Sequence, residues 1–152
     1  MAKIIHYFAY GSNMSIQRMN QRLVNYQSRK PALLKGYQLV FNKINRNVSG
    51  AGFANIMPVE NSWVEGVVYE IEEAGLKILD GFEGYPNRYS RQILPVEVGN
   101  QITRAHTYIA HKAEIADGLK PEIIYLRYLL DAKDLLSADY YFKLETLQST
   151  LK

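Results

Sequence analysis

The chain has 152 residues, 47% of them apolar and 22% charged, with a formal net charge of +3 and no cysteine. The length favours a single domain over residues 1–152 that buries about 70% of its unfolded surface. Without cysteine, disulfides, thiolate zinc sites and a cysteine nucleophile are excluded. No stretch reaches the roughly 20 apolar residues that cross a bilayer, and no export signal is recognisable, so we expect a cytoplasmic protein with no membrane partner. The small charge excess is scattered, which argues against nucleic acid as a partner.

The first segment with a clear pattern is a strand, a turn and a helix. Ile4–Ala9 is apolar and predicts a short buried strand, and Gly11-Ser12-Asn13 predicts a tight turn. Apolar residues at helical spacing then predict a helix over about Gln17–Tyr26. Backbone amides at such a junction face outward, so the turn is a candidate cradle for a carboxylate or phosphate, with an ordinary structural turn as the alternative. A nucleophilic Ser12 is not expected, because Met14 stands where a nucleophile elbow carries its second glycine.

Five more strands and three more helices are predicted after this turn. The strands are Gly36–Phe41, Ala54–Val59 (ended by proline), Trp63–Ile71, Ile93–Val98 and Arg104–Ile109, with a hairpin turn at Gly99-Asn100 between the last two. The helices run from Glu72 to about Asp80, from near Pro121, and over Ala138–Leu147 behind a Ser137 cap. Strands outnumber helices and follow one another, which indicates an α+β fold with a curled, largely antiparallel sheet.

Glu83 is the candidate general base. If the helix that starts near Glu72 continues far enough, Leu76, Leu79 and Glu83 share one face and the carboxylate lies at the edge of the core. Desolvation there would raise its pKa from a reference of about 4.3 toward the range useful for proton transfer near neutrality. The alternative is that the helix ends at Gly81 and leaves Glu83 in a solvated loop. No spaced ligand cluster accompanies the histidines, so no metal is expected.

Two segments together resemble the γ-glutamylcyclotransferase family. Tyr7-Phe8-Ala9-Tyr10-Gly11-Ser12-Asn13 is similar to the family's signature loop. Leu79-Asp80-Gly81-Phe82-Glu83-Gly84, with Tyr89-Ser90-Arg91 downstream, is similar to its Leu-Asp-x-x-Glu-Gly segment and following Tyr-x-Arg. Further similarities occur in the same order, so the resemblance covers most of the chain; they lie at Phe53–Ile56, Val64–Tyr69, Thr107-Tyr108 and Tyr125–Leu130.

The resemblance implies a fold, an activity and a set of site residues. The implied fold is a small, closed or partly closed, mixed and largely antiparallel β-barrel with flanking helices. The implied activity releases 5-oxoproline from a γ-glutamyl amino acid or amine, with Glu83 as the general base and without a cofactor. The implied substrate-binding residues are Tyr7, Phe8, Ala9, Tyr10, Gly11, Ser12, Asn13, Tyr89, Tyr108 and Tyr125.

The sequence departs from the family's pattern before Tyr125. The preceding proline stands at position 121 rather than two residues ahead of the tyrosine. Asn13 matches the broad group, whereas the glutathione-specific branch carries leucine there, so glutathione is not the expected substrate.

The expected partner is a small γ-glutamyl compound, and the expected assembly is a monomer or homodimer. The alternative function is a non-catalytic module that binds a carboxylate-bearing metabolite, and it requires Glu83 to face solvent.

Overall fold

Five strands close into a barrel in the computed structural model, which describes residues 2–147. The strands are β1 (Ile4–Ala9), β2 (Ser28–Ile44), β3 (Gly52–Glu72), β4 (Tyr89–Val98) and β5 (Gln101–Ala110). The helices are α1 (Ile16–Gln21), α2 (Glu73–Glu83), α3 (Ile123–Leu130) and α4 (Ala138–Glu145). The barrel order is β1-β3-β2-β4-β5, with β5 returning to β1 as a parallel neighbour and the other pairs antiparallel. The predicted α+β class and mixed, largely antiparallel barrel are confirmed. None of the helices in residues 2–147 combines the length and the hydropathy needed to span a bilayer.

The two longest strands differ most from the sequence prediction. β2 is longer at both ends than the predicted Gly36–Phe41, and β3 joins the strands predicted over Ala54–Val59 and Trp63–Ile71. The prediction that Pro58 ends a strand is therefore wrong. Pro58 lies where β3 pairs with β2, before the segment from Val67 onward that pairs with β1. With a partner on one side, β3 tolerates proline because the missing N–H is not needed for the ladder.

The helix α1 is shorter than predicted. It ends at Gln21 rather than near Tyr26. Leu23 has a φ of 60°, a left-handed conformation that a helix cannot continue through. The chain therefore turns away early and enters β2. The later helices α3 and α4 lie within a few residues of their predicted bounds.

The helix α2 is longer than predicted, and this places the candidate base. It continues through Gly81, which lies in open space, and ends at Glu83 rather than near Asp80. Gly84 then adopts a φ of 70° and its N–H donates to the carbonyl of Asp80, which closes the helix. The interpretation of a helix continued far enough to carry Glu83 is confirmed.

The hairpin between β4 and β5 is confirmed at Gly99-Asn100. Its register pairs Val98 with Gln101 and, farther along, Arg91 with Tyr108. This brings the tyrosines at the far ends of the two strands close together: the rings of Tyr89 and Tyr108 have centroids 6.4 Å apart.

Buried side chains form two clusters, because successive residues of a strand point to opposite faces. Along β1, Phe8 belongs to the cluster inside the barrel, whereas Tyr7 and Ala9 belong to the cluster between the barrel and the helices. The outer cluster also contains Leu76 and Leu79 of α2. The burial of these two leucines holds α2 against the barrel, with its last residue at the barrel's end.

Candidate active site

A cavity of about 120 Å³ lies where the loop after β1 meets the helices α1, α2 and α3. It receives side chains from all of these elements and from the ends of β3, β4 and β5. The lining residues are Tyr7, Tyr10, Gly11, Ser12, Asn13, Arg18, Arg22, Phe53, Ala54, Phe82, Glu83, Tyr89, Tyr108 and Tyr125. The cavity therefore brings together the signature loop and Glu83, which are about seventy residues apart in sequence.

Two of the predicted site residues lie elsewhere. Phe8 and Ala9 do not line the cavity. Phe8 is fully buried inside the barrel, and Ala9 is buried in the outer cluster. Strand geometry explains the position of Phe8, which alternates with Tyr7 and faces the inside of the barrel. Ala9 shares the face of Tyr7 but packs within the outer cluster. The other predicted residues of the set are all part of the lining.

Glu83 ends α2 with its carboxylate at the cavity. The carboxylate forms no hydrogen bond to any residue from 2 to 147, and its oxygens remain accessible from the cavity. Burial raises the pKa of Glu83, and the positive charges of Arg22 and Arg18 oppose that shift. A carboxylate that is desolvated, unpaired and open to a cavity is free to take up and release a proton.

The helix that carries Glu83 is fixed one turn earlier. Asp80 accepts a hydrogen bond of 2.7 Å from the Tyr108 hydroxyl and a further, ionic one from Arg91. Both partners come from the β4–β5 hairpin. The position of Glu83 relative to the barrel is thus set by a charge-assisted contact and by the buried leucines of α2.

The loop between β1 and α1 is held by Asn13. Its side-chain Nδ2 donates to the Tyr7 hydroxyl (2.9 Å), and its Oδ1 accepts from Arg22 Nη1 (2.9 Å). The Tyr69 hydroxyl donates to the Asn13 carbonyl (2.6 Å). The loop does not lead directly into α1: a 3-10 turn over Ser12–Met14 comes first. Gly11, Ser12 and Asn13 line the cavity, so the backbone there belongs to the loop and this turn rather than to the α1 N-terminus.

The remaining tyrosines of the lining are fixed by hydrogen bonds to the backbone. Tyr10 donates to the carbonyl of Tyr108 (2.6 Å), and Tyr89 donates to the carbonyl of Ala54 (2.9 Å). The Tyr125 hydroxyl accepts from the N–H of Ala54 (3.0 Å). Burial raises the pKa of each of these phenols, so they are neutral at physiological pH. They form an uncharged part of the lining that backbone hydrogen bonds hold in place.

A buried lysine lies next to two aromatic residues of the lining. Lys43 is 2% exposed, and its Nζ lies 5.7 Å from the ring centre of Phe53 and 5.8 Å from that of Tyr89. It forms an ion pair with Glu114, whose Oε1 is 3.6 Å from the Lys43 Nζ and whose other oxygen binds Arg46. The pair contributes to the field at the cavity without lining it.

Two arginines of the site were not found from the sequence. Arg18 and Arg22 both line the cavity, and they lie four residues apart, on one face of a helical stretch. Arg22 lies 4.7 Å above the ring centre of Phe82, another lining residue that was not predicted. The spacing of the arginines immediately after the signature loop was the available signal. No group of three metal-binding side chains occurs in the part of the chain that the structure describes.

The closed barrel and a cavity lined both by an acidic group, Glu83, and by the loop Tyr10–Asn13 define the class of protein. The chain belongs to the gamma-glutamyl cyclotransferase, AIG2-like family, whose model matches residues 7–127. It is 32% identical over 98 residues to the gamma-glutamylaminecyclotransferase of Rattus norvegicus, a match that covers 61% of this chain and 64% of that protein. The chain thus matches a little under two thirds of that curated relative's length.

Solved structures agree with the fold. A gamma-glutamyl cyclotransferase structure superimposes with a TM-score of 0.83 and 23% identity, covering 97% of this chain and 90% of that one. YkqA from Bacillus subtilis gives a TM-score of 0.84 and 25% identity, covering 97% of this chain and 56% of the other. These similarities confirm the barrel with flanking helices as the architecture of the family.

Proposed function

We propose that this protein is a γ-glutamylcyclotransferase that releases 5-oxoproline from a γ-glutamyl amino acid or amine, with Glu83 as general acid and base. The observation that carries the proposal is the unpaired carboxylate of Glu83, open to a cavity that the loop Tyr10–Asn13 also lines. The family membership supports the reaction, and the name of the rat relative adds γ-glutamylamines to the candidate substrates.

The proposed reaction is an internal acyl transfer. The substrate α-ammonium gives a proton to Glu83, and the freed amine attacks the γ-carbonyl carbon. A carbon–nitrogen bond forms within the five-membered lactam, and the bond to the leaving amine breaks. Glu83 returns its proton to the departing nitrogen, and the ring nitrogen loses its second proton to the released amine, which leaves as an ammonium, so the lactam is neutral and the carboxylate is regenerated at the end of the cycle.

The scaffold supports this reaction by holding the substrate folded. Well-oriented ring closures reach effective molarities of about 10⁵–10⁸ M, so positioning supplies much of the rate. The backbone-bonded tyrosines Tyr10, Tyr89 and Tyr125 provide rigid walls for that purpose. Amides of the loop hold the substrate carboxylate or the developing oxyanion, and a well-placed donor contributes about 3–4 kcal/mol to transition-state stability.

The position of Glu83 favours catalysis over the alternative of a non-catalytic binding module. That alternative requires a carboxylate that faces solvent. Glu83 instead lines the cavity, where burial raises its pKa. A shifted pKa at a cavity wall is typical of a proton-transfer group.

The direct test is incubation with a panel of γ-glutamyl compounds and measurement of 5-oxoproline. The panel includes γ-glutamyl amino acids, a γ-glutamyl alkylamine and ε-(γ-glutamyl)lysine. We expect time-dependent 5-oxoproline from at least one member. Binding of several members without any lactam release would support the binding module and reject the enzyme.

Replacing Ser12 by alanine should leave catalysis largely intact. The Ser12 side chain lines the cavity, but in the proposed mechanism it is neither nucleophile nor base. We expect kcat/KM to fall by less than about tenfold, the effect of one lost neutral hydrogen bond. The measurement is 5-oxoproline release at several substrate concentrations. Complete loss of activity in a folded variant would show that the hydroxyl is essential.

The pH dependence of kcat/KM should report the raised pKa of Glu83. The base form is lost as pH falls through that pKa, so the acid limb should lie above the ordinary glutamate value of about 4.3. Arg22 favours the ionised carboxylate, so Arg22→Gln should move the acid limb to higher pH. As a control, Arg104→Gln at an exposed position of β5 should leave the acid limb in place. An acid limb at or below 4.3 would contradict the assignment of Glu83 as base.

A further inference from the structure

One guanidinium at the cavity wall has no polar partner. Arg22 is engaged by Asn13 and lies over Phe82. Arg18 also lines the cavity, yet its Nε is buried and its guanidinium forms no hydrogen bond or ion pair within residues 2–147. The guanidinium lies over the ring of Tyr128 on α3, with 4.6 Å between the guanidinium carbon and the ring centre. A half-buried cation without a counter-ion is costly, so Arg18 is available for a ligand.

The charges around the cavity do not balance against a γ-glutamyl group alone. The lining contains two cations, Arg18 and Arg22, and one carboxylate, Glu83. A γ-glutamyl group brings one carboxylate and one ammonium and adds no net charge. The surplus positive charge of the lining is therefore matched only when the remainder of the substrate is negatively charged.

We propose that Arg18 determines substrate specificity by binding a carboxylate on the leaving amine, with Arg22 strengthening the positive potential one helical turn away. This inference rests on the proposed function for the glutamyl end of the substrate. The preferred substrates are then γ-glutamyl derivatives of amino acids, and γ-glutamyl derivatives of neutral or cationic amines bind more weakly. Arginine suits this role, since its planar fork pairs with both oxygens of a carboxylate.

A matched pair of ligands isolates the carboxylate. γ-Glutamylalanine and γ-glutamylethylamine differ by that one group. Their affinities are measured by calorimetry on Glu83→Gln, which we expect to bind them while turnover is slowed by about 10²–10⁴-fold, and on Glu83→Gln with Arg18→Gln added. We expect γ-glutamylalanine to bind at least about tenfold more tightly to the first variant, the effect of a hydrogen bond to a charged group. In the double variant the preference should fall to within about threefold, with most of the loss on γ-glutamylalanine.

Two further variants separate charge from structure. Arg104→Gln added to Glu83→Gln removes an exposed arginine outside the cavity and should keep the full preference. Arg18→Lys in the same background keeps the charge and should restore part of it. Equal affinity of the single variant for both ligands, or no binding of γ-glutamylalanine at millimolar concentration, would overturn the inference. So would an equal loss for both ligands on removing Arg18, because it would place Arg18 at the glutamyl carboxylate.

The wild-type chain gives a separate readout for the proposed function. Release of 5-oxoproline from both ligands without a binding preference would retain the cyclotransferase and reject the role of Arg18. A preference that depends on Arg18 without any 5-oxoproline would reject the cyclotransferase and retain the carboxylate receptor.

Discussion

Replacing Glu83 by glutamine should lower kcat by about 10²–10⁴-fold, the range contributed by a positioned general acid and base. Glutamine keeps the size of the side chain but cannot take a proton from the substrate ammonium. Burial disfavours the ionised form of Glu83, so the substitution also removes a destabilising charge at neutral pH. We therefore expect a thermal midpoint at pH 7 that is equal to or higher than that of the wild type. Lactam release and differential scanning calorimetry measure the two effects.

A second glutamate on the same helix provides the control. Glu73 begins α2, lies outside the cavity and forms a solvent-exposed ion pair with Lys3. Glu73→Gln should leave kcat unchanged. Substantial 5-oxoproline release by Glu83→Gln, at rates near those of the Glu73 variant, would refute the assignment of Glu83.

Replacing Gly66 by alanine should destabilise the fold by about 3 kcal/mol, the upper part of the range for overpacked cores. A Cβ at this position of β3 would lie 2.3 Å from the carbonyl oxygen of Ala9 and 2.7 Å from Cε1 of Phe8. The oxygen belongs to the backbone of β1, which is paired to β3 at the next residue, Val67, and cannot move alone. Urea unfolding followed by circular dichroism measures the loss. Because β1 leads into the site loop, activity at a fixed temperature should fall with stability.

Gly81 offers a matched glycine in open space. It lies within α2, and an added Cβ would meet nothing within 4 Å. Gly81→Ala should stabilise the protein by about 0.5–1 kcal/mol, because alanine loses less conformational entropy in a helix. If Gly66→Ala unfolds at the same urea concentration as the wild type, the packing of β1 against β3 at this point is wrong.

Local patterns in the sequence were sufficient for the elements that depend on neighbouring residues. The hairpin at Gly99-Asn100 and the strand Ile4–Ala9 appear where turn chemistry and apolar runs predict them. The 0, 3, 7 spacing of Leu76, Leu79 and Glu83 also identified the face of α2 correctly. Such patterns span only a few neighbouring residues, and the local structure that they indicate is kept in the folded protein.

Features that depend on distant pairing could not be found in this way. Whether Pro58 interrupts a strand depends on which neighbours β3 has at that point, and those neighbours come from elsewhere in the sequence. The end of α1 depends on the left-handed backbone at Leu23, a residue whose type gives no such indication. The parallel closure of β5 on β1 is likewise a property of the whole barrel.

The candidate site shows the same division. The residues that lie in or beside a recognisable motif were found, whereas Arg18 joins the site through the packing of α1 beside α3. Phe8 was included because it stands within the motif, although its side chain points into the barrel. A motif identifies a stretch of backbone, and the tertiary packing around each position decides which of its side chains reach the cavity: Tyr10 belongs to the same cluster as Phe8 and still lines the cavity.

The three contacts of Asn13 have a consequence for ligand entry. The side-chain amide of Asn13 binds β1 and the end of α1, and its backbone carbonyl binds β3. The loop is therefore immobilised when the chain folds. An incoming molecule then loses mainly its own translational and rotational freedom, since the receptor has little left to lose. Selectivity then arises from a binding site whose shape is formed before the ligand arrives. Compounds that require the loop around Asn13 to rearrange bind more weakly.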